Sequence, residues 1–227
     1  MNRRLILTSL RERLYETLKE DILTNRYKPG EELQIDKIAE EFGVSTTPVR
    51  EALVRLEGAG LVVLMPNRGA QVAPISLESI KDIWEVRRLL EPHAARLAAE
   101  RCDPSEISAL YTKMESIVQG HVDFVTYINS DLEIHELMFK YLGNKVLRDI
   151  LERIDQQSLR IRYLAENNAD GFKQEVVQQV TREHLGILDA LKERDADKAA
   201  AVTLEHLQNG EARTLKALEQ VTELNLK

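Results

Sequence analysis

Apolar residues repeat every three or four positions near the start of the chain, which predicts an amphipathic helix from about residue 9 to residue 26. The turn sequence Pro29-Gly30 follows it, and two further apolar stripes predict short helices at about residues 35–42 and 46–57. The segments LVVLM and AQVA then indicate two strands that are joined by the turn PNRG. The order helix, helix, turn, helix, hairpin is the layout of a winged helix-turn-helix.

From residue 75 onward the periodicity is helical throughout. The apolar stripes predict six helices, at about residues 77–101, 105–119, 122–141, 145–165, 173–192 and 196–219. Helices of this length with short connections are typical of an antiparallel bundle. We therefore predict a mostly α protein in which a winged helix-turn-helix domain, residues 1–74, precedes an all-α helical domain, residues 75–227.

Charge is distributed unevenly between these two parts. The 227-residue chain has a formal net charge of −7. Residues 1–74 contain 11 basic and 11 acidic side chains, whereas residues 75–227 contain 20 and 27, so the excess negative charge lies in the second part. A neutral first part can present a basic face to nucleic acid, while the acidic second part is a poor match for phosphate.

Cysteine usage and hydropathy indicate the compartment. Cys102 is the only cysteine, so an intrachain disulfide is excluded and a reducing cytoplasm is expected. The apolar runs fall short of membrane-spanning length, and the short LIL segment after the first arginines does not make a signal-peptide core. We expect a cytoplasmic protein with no membrane partner.

The predicted third helix starts with polar side chains that have no apolar partner. In a helix-turn-helix this end of the helix enters the major groove, where hydroxyls and amides contact phosphate and arginine reaches a guanine edge. The candidate DNA contacts on the helix and the wing are Ser45, Thr46, Thr47, Arg50, Arg55, Asn67, Arg68 and Gly69. Alternatively, Ser45 or Thr46 only caps the helix and Arg50 is a solvated charge, but the set as a whole favours DNA. Arg55 is equally compatible with a structural role and with a phosphate contact.

These residues also resemble a known family. The segment PGEELQIDKIAEEFGVSTTPVREALVRLEGAGLVVLMPNRGAQVAP is similar to the DNA-binding domain of GntR-type bacterial transcription regulators, with TPVREAL, LE..GLV and RG..V in the same order. The resemblance spans about residues 10–74 and implies a winged domain that binds double-stranded DNA. The family usually has arginine after the serine of GVS, where this chain has Thr46, and threonine makes no bidentate guanine contact.

Four polar residues fall on the inward-facing stripes of the helical part. Asp131 and His135 are one turn apart on one helix, while His184 and His206 each interrupt the apolar stripe of a later helix. A carboxylate and three imidazoles from three helices suit a divalent metal ion. A hydrogen-bonded core cluster explains the same spacing equally well, so both interpretations stay open at this point.

Arg87 also lies on an apolar stripe, in the first helix of the second part, and a buried guanidinium needs an anion. Glu91, four residues later, can supply that anion within the helix. A bound small carboxylate is the interpretation that we favour, because arginine binds carboxylates through two parallel hydrogen bonds and the candidate metal site lies in the same part of the chain.

The helical part resembles the FCD effector-binding domain of the FadR-like GntR branch. The similar segments are IWEVRRLLEPHAARLAAER, DLEIHELMFKYLGNKVL and EHLGILDALKERDADKAAAVTLEHL. Metal-binding members of that branch have an Asp, a His four residues later and two further His on subsequent helices, a pattern that maps onto Asp131, His135, His184 and His206. The resemblance implies a divalent metal, zinc first with nickel or manganese as alternatives, and an organic-acid effector. Six helices rather than seven match the shorter, VanR-like version.

The predicted function is a transcription regulator of the repressor type, a homodimer that binds a palindromic operator and responds to a small carboxylate near the metal. The first alternative is a metal-dependent enzyme with an accessory nucleic-acid-binding domain, which needs a general base. Glu136, Glu183 and Glu205 adjoin the histidines in sequence, but on their own helices they point away from them. The second alternative is a structural dimer whose metal only stabilises the fold.

Overall fold

The computed structural model describes residues 3–66, 68–166 and 173–225. The chain divides into two compact units, one made of Met1–Ile80 and Gln156–Tyr163 and the other of Lys81–Asp155 and Leu164–Lys227. The predicted domain boundary at residue 74 stays a prediction, because a division into compact units does not show which segment folds independently.

Helices account for most of the described chain. They are α1 (Arg3–Leu23), α2 (Ile35–Phe42), α3 (Thr46–Gly58), α4 (Leu77–Arg101), α5 (Pro104–Gln119), α6 (Phe124–Lys140), α7 (Lys145–Glu166), α8 (Gln174–Lys192) and α9 (Ala196–Asn225). The strands are β1 (Glu32–Leu33), β2 (Val62–Met65) and β3 (Gly69–Val72). This order confirms the predicted fold class, a winged helix-turn-helix followed by an all-α bundle. Within the described ranges, none of the helices combines the length and the apolar character needed to cross a bilayer.

The first three helices enclose the core of the first unit. Leu18 of α1 and Leu56 of α3 are fully buried against each other's helices. Helix α2 ends at Gly43, whose φ of 62° is the left-handed conformation that costs glycine little. The turn that follows leads directly into α3 and leaves Ser45, just before that helix, at the surface.

Three antiparallel strands form the sheet of the first unit, in the order β1-β3-β2. Val72 of β3 pairs with Val62 of β2, and Ala70 of β3 pairs with Leu33 of β1. The sequence predicted the β2–β3 hairpin but not β1. A strand of two residues beside a Pro-Gly turn carries too little alternation to be identified from its pattern.

The first unit also includes Gln156–Tyr163 of α7, whose polar side chains reach backbone carbonyls of that unit. Arg160 is 1% exposed and donates a hydrogen bond of 2.6 Å to the carbonyl oxygen of Ala73. Gln157 donates one of 2.8 Å to the carbonyl oxygen of Gly60. Burial lowers the pKa of Arg160 to about 10, so the guanidinium stays charged at neutral pH. These contacts join residues far apart in the chain, and nothing in the periodicity of α7 predicts them.

In the second unit, α8 packs against both α5 and α9. Ile187 and Leu191 of α8 are completely buried in this packing. Two of the helices start at aspartates that accept backbone hydrogen bonds, since Asp103 bonds the amide of Ser105 before α5 and Asp123 bonds an amide in the first turn of α6. The start of α6 is thereby fixed, and with it the register of the polar residues further along that helix.

Gly69 begins β3 at a point where a side chain does not fit. Its φ is 96°, and an added Cβ would lie 2.5 Å from the carbonyl oxygen of Leu33. We predict that Gly69→Ala lowers the free energy of unfolding by about 1–3 kcal/mol, because backbone strain and the close approach to β1 both penalise the folded state. The matched control is Gly58→Ala, since a Cβ there meets no atom within 4 Å and alanine favours helix. Urea denaturation measures both variants, and equal stabilities would contradict the prediction.

Candidate functional site

The structure brings together the four polar residues that interrupt the apolar stripes of the second unit. Asp131 and His135 project from α6, His184 from α8 and His206 from α9. One ligand atom from each residue lies within 4.8 Å of the others, and all four residues are buried. The spacing on α6 accounts for the first pair, because residues four apart share a helix face. The convergence of all four requires the packing of three helices.

Asp131 lies between two of the imidazoles. Its Oδ1 is 3.3 Å from Nε2 of His184, and its Oδ2 is 3.9 Å from Nε2 of His135. The ring centroids of His184 and His206 are 4.7 Å apart, and those of His135 and His206 are 5.6 Å apart. Three imidazole nitrogens and one carboxylate oxygen thus converge on a small volume, and this is a ligand set that zinc and similar divalent ions prefer.

Two of these imidazoles differ in their protonation. Burial lowers the pKa of His206 to about 3, even though the contact with Glu183 opposes it, so this ring is neutral and in the form that binds metal. Burial also acts to lower the pKa of His135, but the negative charges of Glu91 and Asp131 outweigh it and raise this pKa. The four residues could hold a divalent ion, and its binding would require the neutral form of His135.

Arg87 is buried beside this cluster, and its guanidinium has an anion in the protein. Its Nε is 2.5 Å from Oε1 of Glu91, the partner that the sequence offers within the same helix. Oε2 of Glu91 lies 2.7 Å from Nδ1 of His135, and Nη2 of Arg87 lies 3.4 Å from Nε2 of the same ring. Burial alone would raise the pKa of Glu91, but Arg87 and His135 outweigh it and lower the pKa to about 2. The assignment of Arg87 to an effector stays a prediction.

Three acidic residues were not predicted as neighbours of the histidines. Besides Glu91, these are Glu183, whose Oε2 lies 2.8 Å from Nδ1 of His206, and Asp155 of α7. Burial raises the pKa of Asp155 to about 6, against the positive charges of His135 and Arg87. Helix periodicity places each glutamate relative to its own helix only. The contact of Glu183 on α8 with a ring on α9 depends on how the two helices pack, so the sequence did not predict it.

The start of α3 is exposed in the first unit. Ser45 precedes the helix in an extended conformation, and its side chain makes no capping hydrogen bond. The capping alternative therefore does not explain Ser45. Thr47 and Arg50 are exposed and Thr46 is half-buried, so this polar helix start faces solvent as the sequence led us to expect.

An open cleft of about 770 Å³ separates α3 from the hairpin. Arg50 lines it on the helix side, and Arg68 and Gly69 line it on the hairpin side. Val54, one turn after Arg50, also lines the cleft and is 56% exposed. Val54 was not among the predicted contacts, which were mostly polar, although an apolar residue four positions after Arg50 on the same helix face was a usable signal. Asn67 lies outside the described residues.

Arg55 occupies the other exposed side of α3, where it contacts α1. Its Nη1 and Nη2 donate to the two carboxylate oxygens of Glu12 at 2.9 and 3.0 Å. Its guanidinium carbon also lies 3.6 Å from the centroid of the Tyr15 ring. Of the two roles that the sequence left open for Arg55, these contacts favour the structural one, because a phosphate contact would have to replace them.

Known proteins match both units. Residues 10–72 match the model for bacterial regulatory proteins of the gntR family, and residues 82–209 match the model for the FCD domain. The HTH-type transcriptional repressor RspR of Escherichia coli (strain K12) is 27% identical over 199 residues, which are 87% of this chain and 85% of that protein. The galactonate operon transcriptional repressor of the same organism is 27% identical over 233 residues, 93% of this chain and 97% of that protein.

A solved structure has the same fold. E. coli McbR/YncC superposes with a TM-score of 0.78 at 22% sequence identity, covering 91% of this chain and 97% of that chain. The family models and the names of the relatives favour a transcription regulator over the metal-dependent enzyme.

Metal binding at the cluster of Asp131 and the three histidines is predicted to release a proton. The raised pKa of His135 keeps this imidazole protonated in the metal-free protein to a pH above its ordinary 6.5, whereas a bound ion requires the neutral ring. We expect zinc affinity to fall as the pH is lowered from about 8 to about 6. Calorimetric titrations in two buffers of different ionisation enthalpy measure the released proton. Asp131→Asn, which weakens one ligand, is the control for binding at this cluster, and pH-independent binding without proton release would contradict the prediction.

Proposed function

We propose that this chain, which belongs to the GntR family of bacterial regulatory proteins and carries an FCD domain, binds an operator through α3 and the hairpin. A small organic acid controls this binding. The chain is a transcription regulator, and these assignments specify how it acts. The observation that carries the proposal is the exposed start of α3, where Arg50 faces Arg68 across an open cleft.

The start of α3 supports contacts with both the backbone and the bases of DNA. Its first amide groups and the hydroxyls of Ser45, Thr46 and Thr47 suit phosphate oxygens. Arg50 has the length and the donor geometry to reach a guanine edge or a phosphate. Val54 lies on the same side and offers an apolar surface for a thymine methyl group. This combination provides both positioning and sequence reading.

The hairpin supplies the second contact. Arg68 is exposed at its turn, next to Asn67, and both suit the backbone or the minor groove. Gly69, the next residue, also lines the cleft. Residues 1–74 have no net charge, so a local basic surface from Arg50 and Arg68 is what attracts the phosphates.

The second unit supports a site for a carboxylate next to a metal. Asp131 and the three histidines supply four ligands, which complete a tetrahedral zinc site, whereas nickel or manganese would keep open positions for oxygens of the acid. Arg87 lies beside His135, and an acid that reaches it competes with Glu91 for the guanidinium. One relative is named for the galactonate operon, and galactonate is a carboxylate, which supports this class of effector.

The proposed regulator is a homodimer that changes between two arrangements when the effector binds. Two copies present two α3 helices to half-sites about one DNA turn apart, so the operator is palindromic. Leu89, Val146 and Ile150 of the second unit are exposed apolar residues that a second copy can cover. An effector that binds one arrangement more tightly than the other, by about 5.5 kcal/mol, moves a two-state equilibrium from about 1:99 to about 99:1.

Replacing the groove-facing side chains is predicted to abolish tight operator binding. The double variant Thr47→Ala, Arg50→Ala should bind the operator more weakly. The loss of Arg50 alone should reduce the binding free energy by about 1–3 kcal/mol and lower the salt dependence of binding. Arg13→Ala, an exposed arginine of α1, removes the same charge and should leave affinity nearly unchanged. Operator sequences are selected from genomic DNA with the full-length protein, and fluorescence anisotropy measures their affinities. Unchanged affinity of a well-folded double variant would overturn the proposed DNA contact.

Arg87→Lys is predicted to uncouple the effector from DNA binding. Lysine keeps a positive charge next to Glu91 but loses the two parallel hydrogen bonds, so effector affinity should fall by about tenfold or more while DNA affinity without ligand is retained. Arg88→Lys, at the next position and paired with Glu211, is the control. A thermal-shift screen of organic acids identifies the ligand, and anisotropy with and without it measures the response. A wild-type response in Arg87→Lys would show that Arg87 does not bind the effector.

A further inference from the structure

Glu183 of α8 receives hydrogen bonds from three residues of α9 that lie on one face of that helix. Nδ1 of His206 is 2.8 Å from its Oε2, and Nδ2 of Asn209 is 3.2 Å from its Oε1. Nη1 and Nη2 of Arg213 donate to the two oxygens at 2.7 and 2.9 Å. The contact with His206 makes this carboxylate a direct neighbour of one candidate metal ligand.

The contact determines which nitrogen of His206 is available to a metal. A carboxylate accepts but does not donate, so Nδ1 of His206 carries the hydrogen and Nε2 keeps its lone pair. In histidine–metal sites the ring nitrogen that does not bind the metal is usually held in this way by a carboxylate or a carbonyl, which also fixes the direction of the ring.

Arg213 fixes the carboxylate itself. The two parallel hydrogen bonds from its guanidinium define the plane of the carboxylate more strictly than a single contact would. The side chains of Glu183 and Arg213 are 15% and 23% exposed, so water competes little for these bonds. Asn209 adds a third donor, and the position of Glu183 relative to His206 is therefore well determined.

The His135 imidazole, which also has a carboxylate at Nδ1, is less suited to test this idea. Glu91 lies 2.7 Å from Nδ1 of His135 and is paired with Nε of Arg87. Arg87 is, however, the proposed effector ligand, so a change there alters two functions together. Glu183 and Arg213 lie outside the proposed effector contact, and their effect on the metal can be measured by itself.

We propose that Glu183, held by Arg213, is a positioning residue that fixes the tautomer and the direction of the His206 imidazole for a divalent metal ion. The inference rests on the proposed metal at Asp131, His135, His184 and His206. The competing explanation is that the cluster of Glu183 only joins α8 to α9, in which case it contributes to stability but not to the coordination of the metal.

The test compares Glu183→Gln with Glu205→Gln. Both glutamates adjoin a candidate histidine ligand in sequence, but Glu205 is exposed on α9 and makes no contact with a histidine among those the structure describes. Competition with a chromophoric chelator measures zinc affinity of the full-length protein. Glu183→Gln should bind zinc about 10- to 100-fold more weakly, the usual effect of losing such a partner, whereas Glu205→Gln should match the wild type. Arg213→Lys, which keeps Glu183 and the charge, should show a smaller loss in the same direction.

Two spectroscopic signals separate positioning from simple stabilisation. The ¹⁵N shifts of His206 in the zinc-loaded protein report its tautomer, which should be Nδ1–H in the wild type and mixed in Glu183→Gln. The visible absorption of the cobalt-loaded protein should change in Glu183→Gln and stay constant in Glu205→Gln.

The outcomes distinguish this inference from the proposed function. If the wild type binds no zinc, or binds it without Asp131, the metal of the proposed function and this inference both fail. If the wild type binds zinc through Asp131 but Glu183→Gln binds it equally tightly with the same His206 tautomer, only the inference is overturned, and a lower melting temperature alone would then assign Glu183 to helix packing.

Discussion

Asp131 and the three imidazoles are buried in the second unit, and their desolvation has to be offset by charges or by a ligand. Two arginine–glutamate pairs adjoin them, Arg87–Glu91 at His135 and Arg213–Glu183 at His206. In each pair the carboxylate lies at Nδ1 of the ring. One ligand atom from each of the four residues lies within 4.8 Å of the others, which a self-contained hydrogen-bond network does not require. This convergence and the repeated arginine–glutamate arrangement favour an ion over the core-cluster interpretation.

The sequence predicted those features of the structure that depend on the residue pattern within a single helix. Every helix of the second unit has one buried face, so its apolar stripe locates it, and the spacing of Asp131 and His135 places them together. Contacts that join distant segments were not predictable in this way. The pairing of β1 with β3 involves only two residues of β1, and the contact of Glu183 with His206 depends on the rotation of α8 against α9. Helix α1 also starts earlier than the stripe indicated, at Arg3.

Arg50 and Arg55 lie on the same helix, and only their contacts in the structure distinguish their roles. Both belong to α3 and both are exposed. Arg55 pairs with Glu12 and stacks on Tyr15, which come from the distant helix α1, and so it joins two helices. Arg50 instead lines the open cleft opposite Arg68. Arg55 can be paired within the protein without loss of DNA recognition. An arginine that contacts DNA must instead be able to replace its present contacts with a base or a phosphate.

The two arginine–glutamate pairs differ in what they allow. The Arg213–Glu183 pair contacts the candidate metal cluster through His206. Arg87 neutralises Glu91 and also lies 3.4 Å from Nε2 of His135. Under the proposed function, a carboxylate that attracts Arg87 changes the charge around Glu91 and with it the environment of His135. By thermodynamic linkage, the metal must then affect the affinity for the acid as much as the acid affects the affinity for the metal. Under the proposed function, the Arg87–Glu91 side of the centre therefore responds to the acid, while the Arg213–Glu183 side positions His206 for the metal.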